Sequence, residues 1–230
     1  MNKFKKNIIK EWKIEVQTGL HIGGNKEGVK IGGTDNPVIK TFVKYKAEET
    51  DKGTLIEIPY IPGSSIKGKI KYLLESFYYS NQDQKKIIDK LFGVGASEST
   101  HEQSRLIVRD AYPTDEWVRK VVDDNIFQKG TEVKGENNIN KNDGWANPRF
   151  IERAIPGLKF KLDMVITIYE GDDENSLISL LNMGVHLLED SYLGGQGTRG
   201  YGKVKMTLIN TYERDAKWYE EQFKSNPIKS

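Results

Sequence analysis

Gly194-Gly195-Gln196-Gly197-Thr198-Arg199-Gly200-Tyr201-Gly202 is a stretch in which five of nine residues are glycine. It follows an apolar run with helical spacing, Leu177 to Leu193, and precedes Lys203 to Leu208, where polar and apolar residues alternate as in a half-buried strand. The stretch is therefore predicted to connect a helix to a strand. Glycine suits a backbone with positive φ or a close neighbour, and exposed amides beside one guanidinium suit a phosphate backbone. A flexible loop is the alternative interpretation.

The composition describes a polar chain with a mild excess of positive charge. Its 230 residues are enough for one large domain, or for one domain with an insertion. The net charge of +2 and the pI of about 8.4 lie below the pI of about 9 that by itself signals nucleic-acid binding. Any site for a polyanion must therefore come from local clustering of cations.

Cysteine and long apolar segments are both missing from the sequence. The absence of cysteine excludes a disulfide framework, thiolate metal ligands and a thiol nucleophile, and agrees with a cytoplasmic location. The basic start, residues 1–6, is not followed by an apolar segment, so we do not expect a signal peptide. Because no run of about 18 apolar residues occurs, we expect no membrane-spanning helix and no membrane partner.

Hydrophobic periodicity gives the order of the elements. Helical spacing predicts helices over 66–77, 85–91, 117–122 and 176–188, and alternation predicts strands over 12–20, 55–58, 105–111, 158–169 and 203–212. Ser64 or Ser65 is expected to cap the first helix. In the polar tail, Tyr219 and Phe223 lie four residues apart, as on one face of a short docking helix.

Residues 130–156 interrupt this pattern. They are rich in Asn, Lys, Glu and Gly, with turn signals at Lys134-Gly135 and Asn142-Asp143-Gly144. We expect an inserted hairpin or loop that projects from the domain and lies outside the core. Trp145 and Phe150 either anchor it against the body or offer surfaces for stacking on bases. The prediction is a single domain, 1–230, with a core over about 12–124 and 157–212, an insertion over about 125–156 and a tail over 213–230.

Without the insertion, the element order is β-α-β followed by β-α-β. That order is the split βαβ pattern of ferredoxin-like folds. The predicted class is therefore α+β, with a ferredoxin-like or RNA-recognition-motif-like βαββαβ core, an inserted hairpin and long loops. This fold hosts many functions, so it does not determine one.

Several motifs follow one another along the chain and together resemble one family. They are His21-Ile22-Gly23-Gly24, Gly32-Gly33-Thr34-Asp35-Asn36-Pro37-Val38-Ile39, Tyr60-Ile61-Pro62-Gly63-Ser64-Ser65-Ile66-Lys67-Gly68-Lys69, Val108-Arg109-Asp110-Ala111, Glu136-Asn137 with Pro148-Arg149-Phe150-Ile151-Glu152-Arg153, and Gly194 to Val204. This combination resembles the repeating backbone subunit of type III-A CRISPR effector complexes, the Csm complexes, within the RAMP superfamily. The resemblance spans roughly Trp12 to Leu208.

The resemblance implies an activity. Several copies stack into a filament around a guide crRNA, and each copy carries a projecting thumb, here roughly Asn125 to Pro156, that displaces guide bases at regular intervals. Each copy cuts the complementary target RNA once. The cut needs Mg²⁺ or another divalent cation and the aspartate of the Gly-Thr-Asp loop, here Asp35. The implied partners are further copies of the chain, a large signalling and polymerase-like subunit, a subunit that caps the guide 5′ end and a small helical subunit.

Two positions depart from the family pattern. Many members read Val-Ile-Arg-Asp where this chain has Val38-Ile39-Lys40-Thr41, so a nearby acid is missing. The thumb often reads Ile-Asp-Arg where this chain has Ile139-Asn140-Lys141. Lysine keeps the positive charge but loses the two-pronged geometry of arginine.

Asp35 has two interpretations from its local sequence. The target RNA carries its own nucleophile, the 2′-hydroxyl, so a single carboxylate can suffice as a Mg²⁺ ligand or as a general base. Thr-Asp-Asn-Pro is also ordinary turn chemistry, in which Asp35 is a turn residue. The family resemblance favours the catalytic interpretation.

The candidate RNA-binding residues are cations, one histidine and two glycines of the glycine-rich stretch. Their expected contacts with the RNA backbone are independent of sequence and sensitive to salt. Arg109 and Asp110 have a second interpretation as an internal ion pair. The candidates are His21, Lys67, Lys71, Arg109, Arg149, Arg153, Arg199, Gly195 and Gly197.

Two rival functions remain open at this stage. One is a guide-binding scaffold subunit without nuclease activity, in which Asp35 is only a loop residue. The other is a stand-alone, metal-independent endoribonuclease that processes guides and uses His21 as its acid or base.

Overall fold

The structure of the chain is a computed structural model that describes residues 3–24, 36–45, 54–94, 102–123, 128–139 and 146–225. The elements, in chain order, are β1 (Phe4–Val16), β2 (Lys40–Tyr45), β3 (Thr54–Pro59), α1 (Gly63–Phe77), α2 (Gln82–Phe92), β4 (Leu106–Val108), β5 (Tyr112–Pro113), α3 (Asp115–Asp123), β6 (Thr131–Ile139), β7 (Ala146–Ala154), β8 (Lys159–Tyr169), α4 (Glu174–Asp190), β9 (Val204–Asp215) and α5 (Ala216–Ser225). Within these ranges no helix is long and apolar enough to cross a membrane.

The central sheet has the strand order β4-β8-β1-β9, and all neighbouring strands are antiparallel. The connection through α1 leads from β1 to β4 and passes over β8. The connection through α4 leads from β8 to β9 and passes over β1. Two interleaved βαβ units of this kind make a ferredoxin-like α+β fold, which confirms the predicted fold class.

The main core lies between one face of this sheet and the helices α1 and α4. Successive strand residues point to opposite faces, and alternate residues of β1 and β8 are buried. The strand residues of this core include Ile8, Ile14, Val16, Phe160, Leu162, Met164 and Ile166, and the helix residues include Ile66, Ile70, Leu74, Leu177, Leu181 and Leu188. Helices α1 and α4 touch at Gly184, where a Cβ atom would overlap the side chain of Ile70.

Strand β1 begins at Phe4, not at Trp12 as the alternation predicted, and it ends at Val16. Lys10 lies on the inward face, where it is buried and its Nζ donates to Asn182 Oδ1 of α4 at 3.1 Å. Burial lowers the pKa of this ammonium group. A lysine at a core position interrupts the apolar alternation, and this explains why the first half of the strand was missed.

The N-terminus of helix α1 also differs from the prediction. Pro62 occupies the N-cap position without a side-chain hydrogen bond, so neither Ser64 nor Ser65 caps the helix. The Gly63 N–H instead donates to Asp110 Oδ1 at 2.8 Å. The cap therefore comes from the segment between β4 and β5, a tertiary contact that local sequence does not reveal.

Two hairpins lie beside the central sheet. Strands β2 and β3 pack on α3 through a small second core of Ile56, Ile58, Val118 and Val121. Strands β6 and β7 form the second hairpin, hereafter "the hairpin", within the segment predicted as an insertion. The composition predicted that the whole insertion lies outside the core. The base of the hairpin does not, because Ile151 and Ala154 are buried. Ala154 pairs with Leu20, and this pairing ties the base to the body of the domain.

The tail forms helix α5, which docks through one aromatic residue. The Tyr219 hydroxyl accepts a hydrogen bond from Asn7 Nδ2 at 3.0 Å, and the Tyr219 ring meets the Phe4 ring edge-on. Phe223 is 66% exposed, so the expectation that both residues share a docking face is wrong for Phe223.

The contact between α1 and α4 gives a stability prediction. We expect Gly184→Ala to lower the free energy of unfolding by about 1–3 kcal/mol, because the added methyl group overlaps Ile70 and presses on Leu74. Gly68→Ala in α1 is the matched control. Its Cβ meets no atom within 4 Å, and alanine favours a helix by about 0.5–1 kcal/mol. Urea denaturation measures both changes, and an unaltered stability of Gly184→Ala would contradict the close packing.

Candidate nucleic-acid interface

Four segments meet at the base of the hairpin: residues 19–24, residues 36–40, strand β7 and the glycine loop, residues 194–202. Backbone hydrogen bonds join them directly. They run in both directions between Leu20 and Ala154, and from Gly24 N to Pro37 O, Ile39 N to Ile22 O, Gly195 N to His21 O and Gly202 N to Gly19 O. The junction brings together motifs that are far apart in the sequence.

The glycine loop has a defined conformation, in contrast to the alternative of a flexible loop. Gly194 and Gly202 have φ angles of 74° and 75°, in the left-handed region that favours glycine. A Cβ atom would overlap the His21 carbonyl oxygen at Gly194 and the Leu193 carbonyl oxygen at Gly202. Protein packing therefore requires these two glycines, whereas Gly195 is exposed and leaves room for a ligand to approach the backbone.

Glu152 lies at the centre of the junction, and the sequence analysis did not select it. Its Oε1 accepts from Lys40 Nζ at 2.5 Å, and its Oε2 accepts from the Val38 N–H at 3.1 Å. Its own N–H donates to the Asn36 carbonyl oxygen at 3.1 Å. The side chain is only 9% exposed. Lys40, one of the two departures from the family pattern, thus serves as the partner of a buried carboxylate.

His21 is part of the same junction. Its Nδ1 lies 2.7 Å from the Glu152 carbonyl oxygen, an acceptor, so Nδ1 carries a proton. In the neutral ring the other nitrogen, Nε2, is then the unprotonated one. The imidazole therefore has a structural role, and its contact with RNA stays a prediction.

Arg153 and Arg199 both lie at this junction and both face carboxylates of the hairpin. Arg153 Nε donates to Glu132 Oε1 at 2.7 Å, and an Arg199 guanidinium nitrogen lies 3.0 Å from Glu136 Oε2. Lys134 Nζ lies 3.2 Å from the other oxygen of Glu136. The candidate guide-binding cations are therefore partly neutralised within the protein.

The charge of Glu136 is stabilised by this environment. Its pKa is lowered, first by the nearby Tyr201 hydroxyl and then, against the opposing effect of burial, by Lys134 and Arg199. This environment therefore favours the ionised form of the carboxylate. An RNA phosphate that binds Arg199 has to compete with this carboxylate.

Lys67 and Lys71 lie on the side of α1 that faces Gly93, Ser104 and Leu106, and they are not part of the junction. Lys67 Nζ donates to Ser104 Oγ and to the Leu106 carbonyl oxygen at 2.8 and 2.7 Å. Lys71 Nζ donates to the Gly93 carbonyl oxygen at 3.3 Å. Both ammonium groups thus hold neighbouring backbone onto α1, and their proposed RNA contacts stay predictions.

Arg109 and Arg149 are exposed and lie apart from each other. Arg109 lines a groove beside β4, β5 and β8, and Arg149 lies on β7 opposite Glu136. Arg109 and Asp110, both in the described part of the chain, form no ion pair, so the internal-pair interpretation is wrong; Asp110 caps α1 instead. RNA contacts of the two arginines stay predictions.

Lys69 is a cation beside the glycine loop that the sequence analysis missed. Its Nζ lies 3.7 Å from the centroid of the Tyr192 ring, and the same ring lies against the backbone of Gly197. Burial lowers the pKa of Lys69. Lys67 and Lys69 lie about 200° apart around the helix axis. Helical geometry thus separates two lysines that are almost adjacent in the motif.

Asp35 and the rest of the segment 25–35 lie outside the described residues, as do Trp145 and the departure at Asn140-Lys141. Asp35 is joined covalently to Asn36, which is bound to Glu152 as described above. Among the described residues no group of three or more His, Cys, Asp and Glu side chains is arranged to hold a metal ion. The catalytic and metal-binding roles of Asp35 therefore stay predictions.

Glu152 gives a prediction that concerns stability alone. We expect Glu152→Ala to lower the free energy of unfolding by about 1–3 kcal/mol, because the Val38 N–H and the Lys40 ammonium lose a buried acceptor. Glu116→Ala is the matched control, since it removes an exposed ion pair with Lys120 that is worth about 0–1 kcal/mol. Chemical denaturation compares them, and equal effects of the two substitutions would contradict the central role of Glu152.

Comparison with known proteins agrees with this architecture. The chain matches the RAMP superfamily over residues 13–205. It is 41% identical to a protein of Methanothermobacter thermautotrophicus named CRISPR system Cms endoribonuclease Csm3, over 94% of this chain and 90% of the relative. A protein of the same name from Methanocaldococcus jannaschii is 40% identical, over 94% of this chain and 85% of the relative.

A solved structure shares the fold. The crystal structure of Methanopyrus kandleri Csm3 has a TM-score of 0.63 and 20% identity, and the alignment covers 95% of this chain and 80% of that one. At this identity the similarity concerns the fold alone. The superfamily match over most of the chain and the relatives at about 40% identity lead to one conclusion: the chain belongs to the RAMP superfamily and, within it, to the Csm3 family.

Proposed function

We propose that this chain is the backbone subunit of a type III-A CRISPR–Cas complex, which binds guide crRNA along a helical filament and cuts complementary target RNA at regular intervals, one site per subunit. Relatives at 40–41% identity carry the name of an endoribonuclease. The observation that supports a cutting role is the junction around Glu152. There the segment that follows Asp35 is hydrogen-bonded to the base of the hairpin.

The proposed reaction needs few protein groups. The 2′-hydroxyl of the target attacks the adjacent phosphorus, its proton leaves, and the 5′ oxygen of the next nucleotide departs. The hairpin holds the RNA backbone out of helical geometry, so that the hydroxyl lies in line with the departing oxygen. Asp35 accepts the proton or holds the cation. In this proposal Asp35 acts on the RNA that the hairpin distorts, and the hydrogen bond between the adjacent Asn36 and Glu152 supports the assignment.

Mg²⁺ or another divalent cation is the proposed cofactor. Mg²⁺ commonly uses one or two carboxylates together with phosphate oxygens and water. The Glu152 carboxylate is engaged by Lys40 and Val38, so the donors would be Asp35 and the RNA itself. When bound, the cation would stabilise the charge that develops on the phosphate and on the departing oxygen.

Guide binding is proposed for the cations around the glycine loop. Arg199 lies in the loop, Lys69 and Arg153 lie beside it, and the exposed Gly195 lets a phosphate approach the backbone. Contacts of this kind do not depend on sequence, which suits a subunit whose specificity comes from base pairing. The more distant candidates Lys67 and Lys71 have protein partners and contribute less in this proposal.

The hairpin supplies the proposed thumb. Phe150 is 52% exposed and Val133 is 44% exposed, so neither side chain is buried against the body of the domain. Exposed aromatic surfaces stack on bases without regard to their identity. This favours the stacking interpretation of Phe150 over its interpretation as an anchor.

The proposed partners are guide crRNA, target RNA, further copies of the chain and other Csm-complex subunits. The latter comprise the large signalling and polymerase-like subunit, the subunit at the guide 5′ end and the small helical subunit. The proposed location is the cytoplasm. No described helix is long and apolar enough to span a membrane.

The decisive experiment is cleavage of matched target RNA by the guide-loaded complex in Mg²⁺, with wild type beside Asp35→Ala. We expect regularly spaced cuts whose rate falls at least about a hundredfold in the variant, because the proton acceptor or metal ligand is lost. Target binding should be unchanged. The matched control is Asp83→Ala, which removes an exposed aspartate of α2 and should cut like wild type. Undiminished cuts in Asp35→Ala would leave the chain as an RNA-binding scaffold.

Removal of divalent metal is a separate test. We expect EDTA to stop cleavage of the target while the guide stays bound, and Mg²⁺ to restore it. Activity that persists in EDTA and disappears in His21→Ala would instead support the metal-independent alternative that uses His21.

A further inference from the structure

Tyr201 belongs to the glycine loop, but its ring lies against the hairpin. The side chain is only 1% exposed. The Lys134 Nζ lies 4.6 Å from the centroid of the ring, and the Arg153 guanidinium carbon lies 4.8 Å from it. Cations at this distance from an aromatic ring are attracted to its face.

The two cations come from opposite strands of the hairpin. Lys134 is in β6, and Arg153 is in β7, where it pairs with Glu132. Lys134 and Arg153 are therefore diagonal neighbours on one face of the hairpin. A single ring thus contacts both strands close to the base, and any rotation of the hairpin against the loop has to break at least one of these contacts.

The loop holds the ring firmly from its own side. The Gly202 N–H donates to the Gly19 carbonyl oxygen at 3.1 Å, and the Gly202 carbonyl oxygen accepts from the Leu193 N–H at 2.9 Å. The ring is therefore connected to residues 19–24 on one side and to the hairpin on the other. Among the described residues, Arg199 and Glu136 form the only ion pair between the glycine loop and the hairpin, and Arg199 is half exposed.

The hydroxyl of Tyr201 is not needed for the contacts of the ring with Lys134 and Arg153. It lies near Glu136 but forms no hydrogen bond of good geometry. Burial, and then the Glu136 carboxylate, raise the pKa of Tyr201 to about 12, so the group stays protonated near neutral pH. The ring, not the hydroxyl, makes the contacts with the hairpin.

We propose that Tyr201 is a positioning residue that fixes the angle between the hairpin and the glycine loop, and thereby selects which phosphodiester of the bound target lies at the cutting site. The inference rests on the proposed function, because it assigns the hairpin to the RNA. Tyr201 acts through Lys134 and Arg153 and does not touch the reacting atoms.

The test compares Tyr201→Phe with Tyr201→Leu in the guide-loaded complex. Tyr201→Phe keeps the ring and should reproduce the wild-type cutting positions and rate. Tyr201→Leu removes the ring. It should slow single-turnover cleavage at saturating target at least about tenfold and scatter the cuts over neighbouring phosphodiesters, because small displacements of reacting groups have large effects on rate. Target affinity, which base pairing sets, should change less than about twofold.

Tyr169→Leu is the matched control. Tyr169 is also a tyrosine whose ring is covered by a guanidinium, with Arg105 at 4.7 Å, but it lies at the end of β8 that pairs with Phe4. It should lower thermal stability without altering the positions of the cuts. Displaced cuts in Tyr169→Leu would show that loss of stability alone explains the Tyr201 result and would overturn the inference.

A second variant covers the case in which Tyr201→Leu does not fold. Lys134→Gln keeps the Tyr201 ring and removes one of the two cations that contact it. We therefore expect it, like Tyr201→Leu, to scatter the cuts over neighbouring phosphodiesters. Wild-type cuts in Lys134→Gln, or in a folded Tyr201→Leu, would overturn the inference. Footprinting of the guide with an added nuclease reports the same displacement of the hairpin and does not depend on cleavage of the target by the complex. If Asp35→Ala cuts normally but the footprint shifts in Tyr201→Leu, the proposed function fails and the positioning role stands.

Discussion

A buried carboxylate needs partners for its charge, and Glu152 finds them in residues that lie more than 110 positions away in the sequence. Its side chain binds the backbone of Val38 and the ammonium of Lys40, and its main chain binds Asn36 and His21. Each of these contacts joins the base of the hairpin to residues on either side of the segment 25–35. The sheet and its two helices provide the rigid support, and Glu152, together with the pairing of Leu20 with Ala154, ties the hairpin to the body.

The fold could be predicted from the sequence because the patterns that indicate its helices and strands are local. Alternation in β8 and the helical stripe of α4 follow from which side chains face the core, and their order implies the split βαβ connections. The burial of Lys10 and the cap of α1 could not be predicted from the sequence. Lys10 is buried because α4 offers Asn182 above it, and Gly63 is capped by Asp110 from another part of the chain. Both depend on tertiary contacts that periodicity does not encode.

The candidate site could be predicted only in part from the sequence. The motifs identified the correct segments, and Arg153, Arg199 and His21 do meet at one junction. The direction in which a side chain leaves its helix distinguishes Lys69 from Lys67, and the motif alone does not indicate which lysine faces the glycine loop. Glu152 lay within a quoted motif without an assigned role, and its partner Lys40 was noted only as a departure from the family pattern. Their pairing is visible only when the two segments are folded together.

The pairing of Arg153, Arg199, Lys134 and Lys40 with glutamates has a consequence for how the chain meets a polyanion. A bare cation that binds a phosphate mainly releases small ions from the nucleic acid, and affinity then falls steeply with salt. Here a phosphate that binds one of these four cations also has to compete with a carboxylate that is already in place. For the proposed RNA contacts at these cations, part of the favourable charge interaction is therefore offset by the loss of an ion pair within the protein. In the proposed function, the carboxylates of the hairpin thus compete with the RNA for these four cations.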